Sequence, residues 1–347
     1  MNEEILSRRK NKILRDLVRE YIRTGKPVGS KRLAVLNHEG ISSASIRTVV
    51  GILEREGFVS QPHISAGRVP TAQGYSLYVN CLIRPTEISG LNVNWIRSVL
   101  ETEADPGHLM NQVSQILASL SEQVGFMVAP PLSHAPIRQI EFLQLSRYRV
   151  LAILVSVNGL VQNRLLKVKD QFKQRELDAA GRYLTVNYRG KSLAQIRKTL
   201  VRLRSEDKAR YDSLLKSVLV LGASTLMREG SGNSEVYLGG TTTMIGTIGE
   251  CDLDQLTTLF QAFEQKNRLI RIVNACISDE DGTHVTIGLE DHFPGGRDFS
   301  LISSYYSWGQ GRGTLGVLGP RRMEYEKAII VVDCVARLCG QVMGFSG

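Results

Sequence analysis

The chain has 347 residues, 42% of them hydrophobic and 22% charged, a length and balance that require two or three globular domains rather than one. Its formal net charge is +9, and residues 1–80 hold 13 Lys/Arg against 7 Asp/Glu, so most of the excess sits at one end. The longest apolar runs, Val150–Val157 and Ala328–Val332, fall far short of the roughly 20 residues that span a bilayer, which excludes a conventional membrane helix. The five cysteines are odd in number and form no CxxC pair. A disulfide framework is therefore not expected, and a reducing cytoplasm fits. The polar, charged start of the chain carries no secretory pattern.

In chain order, Ile13, Leu14, Leu17, Val18, Tyr21 and Ile22 keep one face of a first helix apolar, and Gly25 and Pro27 end it. Ser30 caps a short helix to Leu36, with Leu33 and Leu36 inward, and Asn37 to Gly40 makes a turn. Ser42 and Ser43 open a third helix, in which Ile46, Val50 and Leu53 share a face and Gly57 supplies the stop. Phe58–Gln61 and Arg68–Thr71 read as short strands, joined through Pro62, Ser65 and Gly67. Three helices and a basic hairpin within 71 residues predict a winged helix-turn-helix; a small helical interaction module is the alternative.

On the first reading, Ser43, Ser45, Arg47 and Thr48 lie at the exposed start of the third helix and face base edges, where an arginine can bind guanine bidentately. Ser30, Lys31, His63, Ser65, Arg68 and Thr71 are assigned to phosphates, which set register without reading sequence. One such head covers only a few base pairs, so specificity calls for two heads on an inverted repeat.

Beyond Tyr75 a helix continues through Val79–Leu82, and residues 85–94 form a candidate linker. Helices are expected from Trp95 to Glu103 and from His108 to Val124. Ile140–Leu145, Tyr148–Val157 and Leu160–Val168 predict an antiparallel meander around Asn158-Gly159. From Gln171 to Glu229 the texture is charged and helical, followed by a Gly/Ser/Thr-rich stretch to Gly249. Strand character returns at His284–Leu289, Phe299–Ser307 and Gly313–Leu318, before a last helix through Ala328–Leu338. Sheet, helical stretch, sheet is the order expected when one α+β domain is interrupted by another.

The catalytic motifs fail on context. Gly311-Arg-Gly313-Thr-Leu-Gly316 fits GxGxxG but leads into a strand-like run, not a helix. The histidines show no HExxH and no zinc spacing with the cysteines. Neither GxSxG nor a P-loop occurs, and Asp279-Glu280-Asp281-Gly282 lacks the downstream ligands of a calcium loop. No enzyme activity, cofactor or metal is expected.

Two blocks carry a family likeness. Gly25-Lys-Pro-Val-Gly-Ser30, Leu53-Glu-Arg-Glu-Gly57-Phe58 and Gln61-Pro-His-Ile-Ser-Ala-Gly-Arg-Val-Pro-Thr71 with Gly74-Tyr75 form the first. Ile287-Gly288, Ser300-Leu301-Ile302, Tyr306 and Gly316-Val-Leu-Gly-Pro-Arg-Arg-Met-Glu-Tyr325 form the second. The chain resembles the HrcA family of heat-inducible transcription repressors over nearly its whole length. It departs in one place, where Arg47 is followed by Thr48, Val49 and Val50 instead of a polar Asn-Asp type pair. The resemblance implies a winged-helix head (residues 1–84), a GAF-like domain (95–170 and 248–347) and an inserted helical dimerisation domain (171–247). It also implies a cytoplasmic homodimer that represses heat-shock chaperone operons at an inverted-repeat operator, with activity dependent on the chaperonin GroEL. The rival reading is a winged-helix regulator responsive to a small molecule held in the GAF-like domain.

Overall fold

The computed structural model describes residues 2–37, 40–64, 66–82, 92–103, 105–130, 135–205, 221, 235–240, 272–273, 275–276, 282–292, 295–309 and 311–344. The N-terminal part is built from α1 (Asn2–Thr24), α2 (Ser30–Leu36), α3 (Ser43–Arg55) and a hairpin of β1 (Val59–Ser60) and β2 (Val69–Pro70). Ile13, Leu14, Leu17 and Val18 of α1 meet Leu33 of α2 and Ile46, Val49, Val50 and Leu53 of α3 in one buried cluster. The predicted periodicity is thus the packing surface, with Val49 added. Ser42 alone caps α3, its Oγ accepting from the Ser45 N–H at 3.2 Å, and Gly57 stops the helix at φ 81°.

Val28 bridges to Arg68 through paired backbone bonds of 2.9 Å, so the segment before α2 extends the hairpin by one residue. That approach requires Gly67, where a Cβ would stand 2.4 Å from the Val28 carbonyl carbon. Thr71 closes the unit. Its Oγ1 donates to the Gly57 carbonyl at 2.6 Å and accepts from the Gly74 N–H at 3.1 Å, capping α4 (Ala72–Leu77). Thr71→Ala removes both bonds and should lower unfolding free energy by about 1–2 kcal/mol, the range for a lost N-cap, as read by urea titration. A loss below a few tenths would mean that Thr71 does not hold the hairpin to the helix.

Glu20 fastens α1 to α2. Its side chain is 8% exposed and accepts from Arg23 and from Arg32, each at 2.8 Å. The Arg23 hydrogen bond first, then that from Arg32, holds the carboxyl below the ordinary value. A depressed carboxylate stabilises the fold above its unfolded pKa, and that contribution is lost as pH falls through the folded value. Thermal scans below about pH 4.5 should therefore show wild type losing stability faster than Glu20→Gln. Parallel curves would remove this clasp from the acid response.

The remaining chain is organised by two sheets. The first has five antiparallel strands in the order β7 (Val236–Gly239), β3 (Val124–Val128), β10 (Gly311–Pro320), β9 (Phe299–Trp308) and β8 (Thr283–Ile287). The helices α5 (Val93–Thr102) and α6 (Pro106–Ser121) lie on the same side as the closing helix α9 (Tyr325–Gly344), and α6 and α9 cover one sheet face. A second cluster, with Phe126, Leu301, Leu318, Ile272 and Val273, covers the other. Burial on both faces explains why β3 reads as an unbroken apolar run. Gly125 and Gly239 are register partners, and a Cβ on either would stand within 2.4 Å of the Ser114 backbone. Two adjacent glycines thus let the backbone of α6 approach the sheet closely. Gly313, from the GxGxxG-like stretch, pairs with Tyr306 inside the sheet, and a Cβ there would meet the Tyr306 ring at 2.4 Å. Those glycines serve packing.

The second sheet is the predicted meander: β4 (Ile137–Ser146), β5 (Arg149–Ser156) and β6 (Val161–Lys167). The helix α7 (Gln174–Tyr188) runs along the free edge of β4. Thr185 Oγ1 accepts from the Ile140 N–H at 3.0 Å and donates to its carbonyl at 3.3 Å. Gln174 accepts from the Gln144 N–H and donates to the Phe142 carbonyl, both at 2.9 Å. Side chains thereby replace a fourth strand, one way to blunt an edge against further pairing. The helix α8 (Leu193–Ser205) follows.

Of the expected boundaries, 170/171 falls between β6 and α7, and 247/248 lies outside the described residues. β4–β6 stand apart from the five-stranded sheet and pack with α7, while β7, placed with the insert, pairs with β3. The cause is local: a meander needs a cover for its edge, and the helix that covers it is the next in sequence. The expected linker lies outside the described residues up to position 91, and Asn92 already caps α5 by accepting from the Trp95 N–H at 3.0 Å. Most of the Gly/Ser/Thr-rich stretch also lies outside them.

Candidate nucleic-acid interface

Burying Ile46, Val49, Val50 and Leu53 fixes which way α3 points. At 100° per residue, Ala44, Arg47, Thr48, Gly51 and Arg55 form the opposite stripe. Ser45, Arg47, Thr48 and Arg55 are exposed, and Ser43 is half-buried. Arg47 has no ion-pair partner among the described residues. The Thr48 hydroxyl donates back to the Ala44 carbonyl at 3.3 Å, and the Ser45 and Ser42 hydroxyls lie 3.0 Å apart. The stripe thus carries two cations about two turns apart on a helix face that nothing in the described chain covers.

Arg55 was missed in the sequence. At the end of an apolar-periodic run it reads as a cation near the negative end of the helix dipole. Counting by 100° from the buried positions would have placed it beside Arg47.

The hairpin stands beside this stripe, and its members divide into two kinds. His63 is exposed at the tip next to Ile64, which is fully exposed. Gln61 braces the tip, its amide donating to the Ile64 carbonyl at 2.8 Å and the Ala66 carbonyl at 3.0 Å. Arg68 instead turns inward, donating from Nη2 to Glu54 of α3 at 2.8 Å, with its Nε buried and without a partner. Thr71 is committed to the cap described above. Lys31 is exposed on α2 and Ser30 half-buried at its start. Ser65 lies outside the described residues. Of the residues assigned from sequence, Lys31, Ser45, Arg47, Thr48 and His63 are exposed and Ser30 and Ser43 half-buried, whereas Arg68 Nη2 and the Thr71 hydroxyl are engaged within the chain.

No group of three or more His, Cys, Asp or Glu able to hold a metal ion occurs among the described residues. None of their helices is long and apolar enough to cross a membrane. Cys339 is fully buried, and burial pushes its thiol well above the ordinary range, so it is no nucleophile at neutral pH.

The model of the HrcA protein C terminal domain matches residues 107–329. The heat-inducible transcription repressor HrcA of Geobacter sulfurreducens is 34% identical over 340 residues, covering 97% of this chain and 98% of that protein. That of Xanthomonas axonopodis pv. citri is 35% identical over 346 residues, covering 99% and 97%. The chain belongs to the HrcA family of heat-inducible transcription repressors.

An HrcA-family chain is a non-enzymatic regulator, and transcription repression implies DNA binding. A solved structure titled a hypothetical protein at 2.2 Å resolution has a TM-score of 0.64 at 21% identity. It covers 98% of this chain and 99% of its own, which supports the mixed α+β fold over the full length.

Proposed function

We propose that the chain represses heat-shock chaperone operons by binding an inverted-repeat operator as a homodimer, with α3 in the major groove and the β1–β2 hairpin on the backbone. The observation that carries this reading is the uncovered Arg47–Arg55 stripe of α3 beside a braced hairpin, in the part of the chain where positive charge collects. Ser43, Ser45, Arg47 and Thr48 are assigned to bases, joined by Arg55. Ser30, Lys31, His63 and Ser65 are assigned to phosphates. Arg68 and Thr71 act on the duplex through the hairpin they hold.

On this reading residues 1–82 are a winged-helix head and residues 92–130 with 235–344 a GAF-like body. The inserted dimerisation unit begins near residue 135 and includes β4–β6, α7 and α8. Its outer sheet face supports the dimer. Leu143, Leu151 and Leu165 form one cross-strand row, flanked by Ile153, Val155 and Val161, with Leu145 and Tyr148 exposed beyond it. An apolar face of this extent on a regulator that needs two heads is best occupied by a second copy. Before pairing, the same face is the kind of surface a chaperonin retains, which gives GroEL dependence a physical route.

The test is an operator-shift assay on DNA from upstream of the host's chaperone genes, with GroEL and a metabolite library as separate additions. Protection of an inverted repeat, strengthened by GroEL, is the expected result. Binding with no preference for that DNA would overturn operator recognition. Release by a small molecule alone would favour the ligand-sensing rival.

A further inference from the structure

We propose that Glu326, in the first turn of α9, is a positioning residue that sets the angle of the DNA-reading head on the body. Its carboxylate is shared by two separate elements of the head. Arg19 of α1 donates to Glu326 Oε1 from both Nε and Nη2, and the Tyr78 hydroxyl donates to the same oxygen at 3.1 Å. Tyr78 is 2% exposed, and burial raises its hydroxyl to about 12, so it stays a neutral donor at physiological pH.

Beside this clasp, Tyr75 of α4 packs on Tyr325, with ring centroids 5.8 Å apart at 48°, and both are 1% exposed. Tyr325 is itself fixed to the body, its hydroxyl lying 2.9 Å from Ser300 Oγ and 2.7 Å from the Arg321 carbonyl. Arg322 reaches the Ile22 carbonyl of α1 at 3.5 Å. The two blocks of sequence that carry the family likeness, one ending at Gly74-Tyr75 and the other at Glu324-Tyr325, therefore meet at this one place.

The tilted ring pair holds the head down but by itself resists turning about the contact only weakly, since apolar packing has little direction. A carboxylate that takes charge-assisted bonds from α1 and from the segment after α4 resists that turn, because either bond breaks when the head rotates. In a dimer on DNA, the angle of each head decides which separation of half-sites both can reach. Glu326 touches no reading residue, and its effect is on geometry.

The inference rests on the DNA-binding reading above, and the experiment separates the two. Full-length wild type, Glu326→Ala and Arg19→Met are titrated onto a single half-site and onto operators whose half-sites are moved apart or together by one to five base pairs. Wild type should prefer one spacing. Both variants should keep half-site affinity and lose at least tenfold of the spacing preference. If Glu326→Ala does not fold, Arg19→Met and Tyr78→Phe, which leave the Tyr75–Tyr325 pair intact, carry the same test. A spacing profile unchanged in folded variants overturns the inference alone. Absence of binding by wild type to any of these duplexes overturns the underlying reading and the inference with it.

Discussion

Placing charges at Leu143 and Leu165 together should leave the chain folded but monomeric, and should weaken operator binding by about 100-fold or more. Both side chains are 46% exposed in the single chain, and lysine at exposed sites normally changes stability by no more than about 0.5 kcal/mol. In a dimer they would lie against a second apolar face, where an unpaired ammonium carries a desolvation cost that no packing offsets. Losing the dimer separates the two heads. Tethering typically raises avidity by about 10²–10⁴, so that factor is forfeited while single half-site binding stays. Light scattering and fluorescence anisotropy on the Leu143→Lys, Leu165→Lys protein would measure both. A double variant that remains dimeric moves the dimer surface elsewhere. One that is monomeric yet binds the operator unchanged would mean that a single head suffices.

Arg47→Ala should cut the preference for operator over random DNA, with little change in the affinity for random DNA. An arginine bidentate to guanine is worth roughly 1–3 kcal/mol of discrimination, and a dimer contains two, so the combined loss is about 2–6 kcal/mol. Arg47 is exposed and not part of the core, so its removal should not lower thermal stability. The sharper comparison is with Arg68→Ala. The partner of Arg68 is Glu54, so that change should loosen the hairpin and weaken operator and random DNA alike. It should also cost about 1–3 kcal/mol of stability, since the pair is part-buried and Glu54 is left without its partner. Competition titrations at two salt concentrations distinguish the cases. Equal losses on both DNAs for Arg47→Ala would make it a backbone contact.

The periodic apolar positions of α1 and α3 were legible because a helix face needs only its own sequence to declare itself. The same holds for Gly57 as a stop and for the meander around Asn158-Gly159, whose strands lie within a few residues of those expected. The candidate site was legible in part. Arg47 and His63 are free on the surface as expected. Arg68 and Thr71 have the right chemistry for phosphates, but their polar atoms are already engaged with Glu54, Gly57 and Gly74. Nothing in a single sequence says whether an arginine's partner is solvent, DNA or a carboxylate fourteen residues away.

By itself the sequence determined the kinds of element, their order, the basic N-terminal end and the two blocks that carry the family likeness. Each of these is written in neighbouring residues, through side-chain period, turn chemistry or local charge. Tertiary structure alone decided that β7 joins the sheet of β3 and β10, that α7 closes the edge of β4, and that Arg19 finds Glu326 across 307 positions. Pairing of strands and ions is a choice among many chemically equal partners. Only the packed chain, which brings one of them within hydrogen-bond reach and shields it from water, makes that choice.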